Sequence, residues 1–198
     1  MFLGLILFSG GIGAFCPEAV LANPDVYNVL PADTRVLQYT LADFDGDASE
    51  ELAILYSTAD ETRLTLFRGD SGHWSRWWDD NGAIDREDGI TIRSLETVDI
   101  NGDDRAEILT YYLVEHDMAL ATRIFSLDDP PDPANPIFKV ILEDATVPPG
   151  YPVLGMEGEK FSVTFMRMAS ESDVGFRRVY CWNGNAFEKC KQIVWELP

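Results

Sequence analysis

Basic charge is what this chain has least of: 15 Lys and Arg stand against 34 Asp and Glu, a formal net charge of −19 at pH 7. That balance makes nucleic acid a poor partner, because phosphates are bound by Lys and Arg that release condensed counterions. An anionic membrane surface is a poor partner for the same reason. Histidine is scarce as well, with His73 and His116 alone in 198 residues. No G-x-S-x-G motif accompanies either, so no nucleophile with its base is signalled, and the chain reads as a non-enzyme. A hydrolase with an acidic site is the weaker alternative, since paired carboxylates in so acidic a chain carry almost no information. Helical periodicity is missing: no run of ten or more residues repeats its apolar positions at three and four. Beyond residue 22 no apolar run is long enough to cross a membrane as a helix, so no membrane insertion of the mature chain is expected.

Cysteine is sparse too, at Cys16, Cys181 and Cys190. The first lies in a segment unlike the rest. Residues 1–15 carry no charge and are mostly apolar, and Val20-Leu21-Ala22 offers a cleavage site before Asn23. Residues 1–22 read as a signal peptide, with a secreted or periplasmic destination. Phe15 stands before Cys16 where a lipoprotein would need a small residue. Removal of Cys16 leaves an even pair, and an even pair in an exported chain is a disulfide candidate. Cys181 and Cys190 flank Trp182-Asn183-Gly184-Asn185-Ala186. Asn-Gly between alternating runs signals a hairpin, so a cross-strand disulfide is expected there.

What the chain does have is an acidic stretch that recurs. Asp43-Phe44-Asp45-Gly46-Asp47-Ala48-Ser49-Glu50-Glu51 leads into Leu52-Ala53-Ile54-Leu55-Tyr56. Its counterpart, 56 residues on, is Asp99-Ile100-Asn101-Gly102-Asp103-Asp104-Arg105-Ala106-Glu107, leading into Ile108-Leu109-Thr110-Tyr111-Tyr112. Alternating runs at 36–41, 52–57, 63–67 and 73–78 make a first unit of four strands, and the pattern restarts near Ile90. A third copy is degenerate. Gly158 falls one further period on, but Gly155 replaces the first aspartate, with Glu157 and Glu159 at the next two ligand places. The early strand at 161–165 leaves room only for a plain hairpin turn. Trp74 and Phe187, close to two periods apart, each follow a Gly-containing turn and tie the third unit to the first. The fold expected is all-β: about three four-stranded antiparallel propeller-like blades, period near 56 residues, in a single β-repeat domain over 23–198. The units are about 34–89, 90–148 and 149–198. Three units are fewer than the usual closed ring, which leaves an open array, an unusual closure or completion by another copy.

Hard cations such as calcium take six to eight oxygen ligands. A loop with oxygen donors at positions 1, 3, 5 and 9 curls them toward one point. These are Asp43, Asp45, Asp47 and Glu51 in the first loop and Asp99, Asn101, Asp103 and Glu107 in the second. The carbonyls of Ser49 and Arg105, at position 7, are further candidates. Gly46 and Gly102, at position 4, permit a sharp turn. An EF-hand would need Gly at position 6 and Glu at position 12. Ala48 or Asp104, and Ile54 or Thr110, stand there instead. Neither loop contains His or Cys, so transition metals are disfavoured.

The D-x-[DN]-G-D-x-x-x-E loop feeding an apolar strand resembles the FG-GAP/VCBS repeat family, whose members build β-propeller blades such as those of the integrin α-subunit head. The resemblance implies calcium bound through positions 1, 3, 5, 7 and 9. By position these are Asp43, Asp45, Asp47, Ser49 and Glu51, then Asp99, Asn101, Asp103, Arg105 and Glu107. Two units match it well and the third only by spacing and hairpin pattern. Glu at position 9, where Asp is frequent, is a mild departure. The functional expectation is an exported, non-enzymatic, calcium-stabilised module that binds a protein or glycan, with self-association an option. The alternative is a carbohydrate-binding module using Trp74, Trp77 and Trp78.

Overall fold

The structure, a computed structural model, describes residues 23–59, 62–79, 90–114, 119–128, 136–146, 152–168 and 174–196. The expected signal segment, residues 1–22, and His116 lie outside them. Among these described residues, twelve strands form three separate four-stranded antiparallel sheets, each in simple sequential order. The first holds β1 (Arg35–Ala42), β2 (Glu51–Ser57), β3 (Thr62–Asp70) and β4 (His73–Asp79). The second holds β5 (Ile90–Val98), β6 (Glu107–Val114), β7 (Ala119–Leu127) and β8 (Phe138–Thr146). The third holds β9 (Val153–Glu157), β10 (Lys160–Met168), β11 (Val174–Trp182) and β12 (Phe187–Glu196). The all-β reading and the three four-stranded units stand.

Alternation along the inner strands decides how the sheets pack. On β2, Ala53 and Leu55 join one apolar cluster and Leu52, Ile54 and Tyr56 another. On β6, Ile108 faces the first sheet, while Leu109 and Tyr111 join the cluster shared with the third. A strand covered on both faces must be apolar at consecutive positions, which is why 52–56 and 108–109 read as unbroken runs. The first cluster lies between sheets one and two, with Phe44, Leu64, Leu66, Leu95 and Phe125 buried in it. The second lies between sheets two and three, around Ile100, Ile124, Val163 and Phe165. Full burial of each such side chain stabilises by about 1.5–3 kcal/mol relative to exposure.

The outer face of the first sheet is closed by the lead-in. Here the sequence reading missed a short helix, α1 (Pro24–Tyr27). Asn23 caps it by accepting from the Asp25 N–H at 2.9 Å, and Pro24 fits the first helical turn. Four residues are too few to show periodicity. Val26 is fully buried against Leu52, Ile54, Tyr56 and Phe67. The third sheet has no such cover among the described residues. Large apolar side chains are exposed on both of its faces: Val153, Met166 and Ile193 on the one turned from the second sheet, and Leu154, Met156 and Val194 on the other.

Neighbouring sheets are also stitched by polar groups. The Gln38 side chain on β1 donates to the Leu95 carbonyl at 2.5 Å and accepts from the Leu95 N–H at 2.9 Å, like an extra rung of ladder. Thr40 and Thr97 share a hydroxyl hydrogen bond at 3.2 Å. Between sheets two and three, Asp144 accepts from the Tyr180 hydroxyl at 2.8 Å and pairs with Arg178 at 2.7 Å. The expected disulfide is present, Cys181 to Cys190 across the β11–β12 hairpin. The hairpin itself is longer than a two-residue Asn-Gly turn. Trp182 pairs with Phe187 and four residues turn the chain, with the Asn183 side chain accepting from the Asn185 and Ala186 N–H groups at 2.9 Å each.

Candidate metal centre

The two acidic loops, joining β1 to β2 and β5 to β6, share one hydrogen-bond scheme. At position 1, Asp43 accepts from the N–H groups of Gly46 and Ala48 at 2.7 and 2.8 Å. Asp99 accepts from those of Gly102 and Asp104 at 2.6 and 3.1 Å. At position 3, Asp45 accepts from Asp47 N–H at 3.1 Å and Asn101 from Asp103 N–H at 2.9 Å. At position 5, Asp47 accepts from Ser49 N–H at 2.8 Å and Asp103 from Arg105 N–H at 3.0 Å. At position 9, Glu51 Oε2 accepts from Phe44 N–H at 3.0 Å and Glu107 Oε2 from Ile100 N–H at 2.9 Å. Positions 3 and 5 thus bind the N–H two residues on, position 1 those three and five residues on, and position 9 the one seven residues back, which curls the loop.

Position 4 needs glycine, with φ of +80° at both Gly46 and Gly102. Position 6 is left-handed as well, at Ala48 (φ 66°) and Asp104 (φ 65°), which the sequence reading did not foresee. Position 2 is the apolar anchor: Phe44 and Ile100 sit in the two inter-sheet clusters, while their N–H groups hold the glutamates.

In the first loop, carboxylate oxygens of Asp43, Asp45 and Glu51 lie within 4.8 Å of one another. Glu51 is fully buried, and its Oε1 has no hydrogen-bond partner. Burial pushes its carboxyl up to about 7, and the charges of Asp45, Asp47 and Asp43 add to the rise against the Phe44 N–H. Asp45 is raised too, chiefly by burial. Asp47, by contrast, is held low, chiefly by the Ser49 N–H, with Arg68 assisting. It is not one of the converging three, and its second oxygen lies 2.6 Å from Arg68 Nη2. The same nitrogen lies 3.0 Å from Asp45 Oδ2. Ser49 is exposed at the loop's outer end.

The second loop answers its glutamate differently. Glu107 Oε1 accepts from Asn101 Nδ2 at 2.9 Å and from the Ser126 hydroxyl at 3.2 Å. Its carboxyl is also raised to about 7, chiefly by burial. Asp103 pairs with Arg105 at 2.9 Å, and Asp99, exposed, faces the loop backbone. Among the described residues the second loop, with Asn101 at position 3, does not bring three His, Cys, Asp or Glu side chains together as the first does.

Arg68 and Ser126 escaped the sequence reading, yet they are equivalent. Leu52 pairs with Phe67 and Ile108 with Phe125, so each is the next residue of a third strand, beside the glutamate before the paired residue. Register alone could have found them. The third copy around Gly158 is a turn of Gly158 and Glu159 between paired strands, with Glu157 bound to Lys191 at 2.8 Å.

The three tryptophans of β4 do not form one cluster. Trp74 packs with the cluster under α1, and Trp77 and Trp78 pack on the opposite face against Phe138. His73 contacts Asp25 at 3.0 Å. An open cleft of 280 Å³, between the second and third sheets, is lined by Asn101, Asp103 and Arg105 of the second loop and by Lys139, Trp182 and Asn185 among others. No protein-family model and no curated protein matches the chain.

Proposed function

We propose that this chain is an exported, non-enzymatic β-repeat module that holds calcium as a structural ion at its first acidic loop and acts by binding or assembly. The observation that carries the reading is Glu51 Oε1, a fully buried carboxylate oxygen without a partner, beside Asp43 and Asp45. A buried, ionised, unpaired oxygen is costly, and a cation among three carboxylates removes that cost. The donors are all oxygen, which favours calcium or another hard cation over soft metals. The resemblance of both loops to the FG-GAP/VCBS pattern points the same way. Asp43, Asp45 and Glu51 would hold the ion, with Asp47 and the Ser49 carbonyl completing its shell.

The second loop repeats the scheme with Asp99, Asn101, Asp103, Arg105 and Glu107, but its glutamate is already satisfied, so its demand for an ion is weaker. Export is supported by the disulfide, a bond that persists in oxidising compartments, and by the pattern of residues 1–22. Assembly is supported by the exposed apolar residues of the third sheet. The partner is a protein, a second copy included, or a glycan.

Calorimetric titration of chelator-treated protein with calcium tests the reading. Heat of binding that is present in the wild type and lost for the strongest site in Asp43→Asn is the expected result. A wild type that takes up no calcium contradicts it.

A further inference from the structure

Both loops use one oxygen of each position-3 and position-5 side chain to accept a backbone N–H. Where the side chains are carboxylates, the oxygens left over are the ones a metal would take. In the first loop those are Asp45 Oδ2 and Asp47 Oδ2, and both face Arg68 Nη2, at 3.0 and 2.6 Å. Asp47 is thereby drawn out of the group that Asp43, Asp45 and Glu51 form. The guanidinium also lies over Trp77, with Cζ 5.6 Å from the ring centroid. No sequence-adjacent accident puts it there, since Arg68 comes from β3 and reaches the loop across the sheet. At the equivalent place of the second sheet stands Ser126, a neutral donor that binds Glu107 instead.

We infer that Arg68 is a resident counter-cation of the first loop, so that calcium binds there by displacing the guanidinium from Asp45 and Asp47. The inference rests on the calcium reading above and adds the competitor that sets its affinity. The chemistry is an exchange of ions. Charge-assisted hydrogen bonds between Arg68 and two carboxylates are broken, and metal–oxygen bonds to the same carboxylates and to Glu51 are made. The loop therefore keeps its shape in two states, one closed on arginine and one closed on metal. Trp77, next to the guanidinium in the first state, loses that neighbour in the second.

Calcium titrations of the wild type, Arg68→Gln and Arg68→Lys test it. Gln keeps much of the aliphatic stem and removes the charge. Lys keeps the charge and replaces the planar fork by a single ammonium. Arg68→Gln is expected to bind calcium about tenfold more tightly at one site, with Arg68→Lys between it and the wild type. The gain disappears when Asp43→Asn is added. Calcium is also expected to change tryptophan emission in the wild type and much less so in Arg68→Gln or Trp77→Phe. In chelator, melting of Arg68→Gln below the wild type, with a larger calcium-dependent rise, reports the same exchange without a binding assay. Calcium bound equally well, or more weakly, by Arg68→Gln overturns the displacement and leaves the calcium reading intact. Absence of binding by all three proteins overturns both.

Discussion

Glu51 concentrates the chemistry of the first loop in one side chain. One oxygen fastens the loop by taking the Phe44 N–H, and the other is buried without a partner. Its pKa of about 7, against an ordinary 4.5, means that the folded chain holds this proton more tightly than the unfolded chain does. In chelator the contribution is therefore fully present below about 4.5 and is lost as the pH rises through about 7. Glu51→Gln removes the ionisation, so in chelator it is expected to gain on the wild type over that window. By pH 8 the difference is of the order of 1–3 kcal/mol, measured by denaturant unfolding at a series of pH values. A difference that stays flat with pH contradicts the raised pKa. The recurring acidic positions of this loop were legible in their spacing, and three of them, Asp43, Asp45 and Glu51, converge. Arg68 and Ser126 were not, since each reaches its loop from another strand and only the pairing register reveals it.

At the level of the element, each loop packs against the next sheet in the same way. A Cβ on Gly46 would lie 3.1 Å from Arg105 Cγ, and one on Gly102 only 2.6 Å from the Phe161 ring. Arg105 and Phe161 are one period apart, as are the two glycines, so the contact itself repeats. Gly158 has the same left-handed backbone (φ +67°) but open space around it. An Ala at Gly158 is therefore expected to cost about 1–2 kcal/mol for its backbone conformation alone. Gly102→Ala meets that cost and a collision with Phe161, and is expected to be destabilised by at least 2 kcal/mol more, on the order of an overpacked core. Chemical denaturation of the two variants decides it, and equal effects would mean that loop and third sheet are not packed together. The strands and the hairpin disulfide were readable because alternation and Asn-Gly are local signals. The helix α1 was not, because it is short and is held in place by burial of Val26 beneath the first sheet.

On the scale of the whole molecule, three sheets stack through two shared apolar clusters, and the two ends of the stack differ. The first sheet is covered by α1 and its flanks. On the third, Val163 and Phe165 point to the second sheet, so the register places Val153, Met166 and Ile193 on the face turned away from it. All three are exposed. If the module assembles through that face, Met166→Lys combined with Ile193→Lys lowers the mass seen by light scattering to that of a single chain, with folding unchanged. A wild type that is a single chain at every concentration removes self-association. That the chain comes in three units was visible in the spacing of Gly46, Gly102 and Gly158. How the units sit against one another was not, because inter-sheet contacts such as Gln38 with Leu95 join residues one period apart and leave no mark in either unit alone. The central claim, that the first loop is closed by calcium, is tested most directly by thermal melting of the wild type and Glu51→Gln in calcium and in chelator. With calcium at about a hundred times its dissociation constant, the wild type is expected to melt about 5–10 °C higher than in chelator, and Glu51→Gln to lose most of that rise. A wild type that melts at the same temperature in both contradicts the claim.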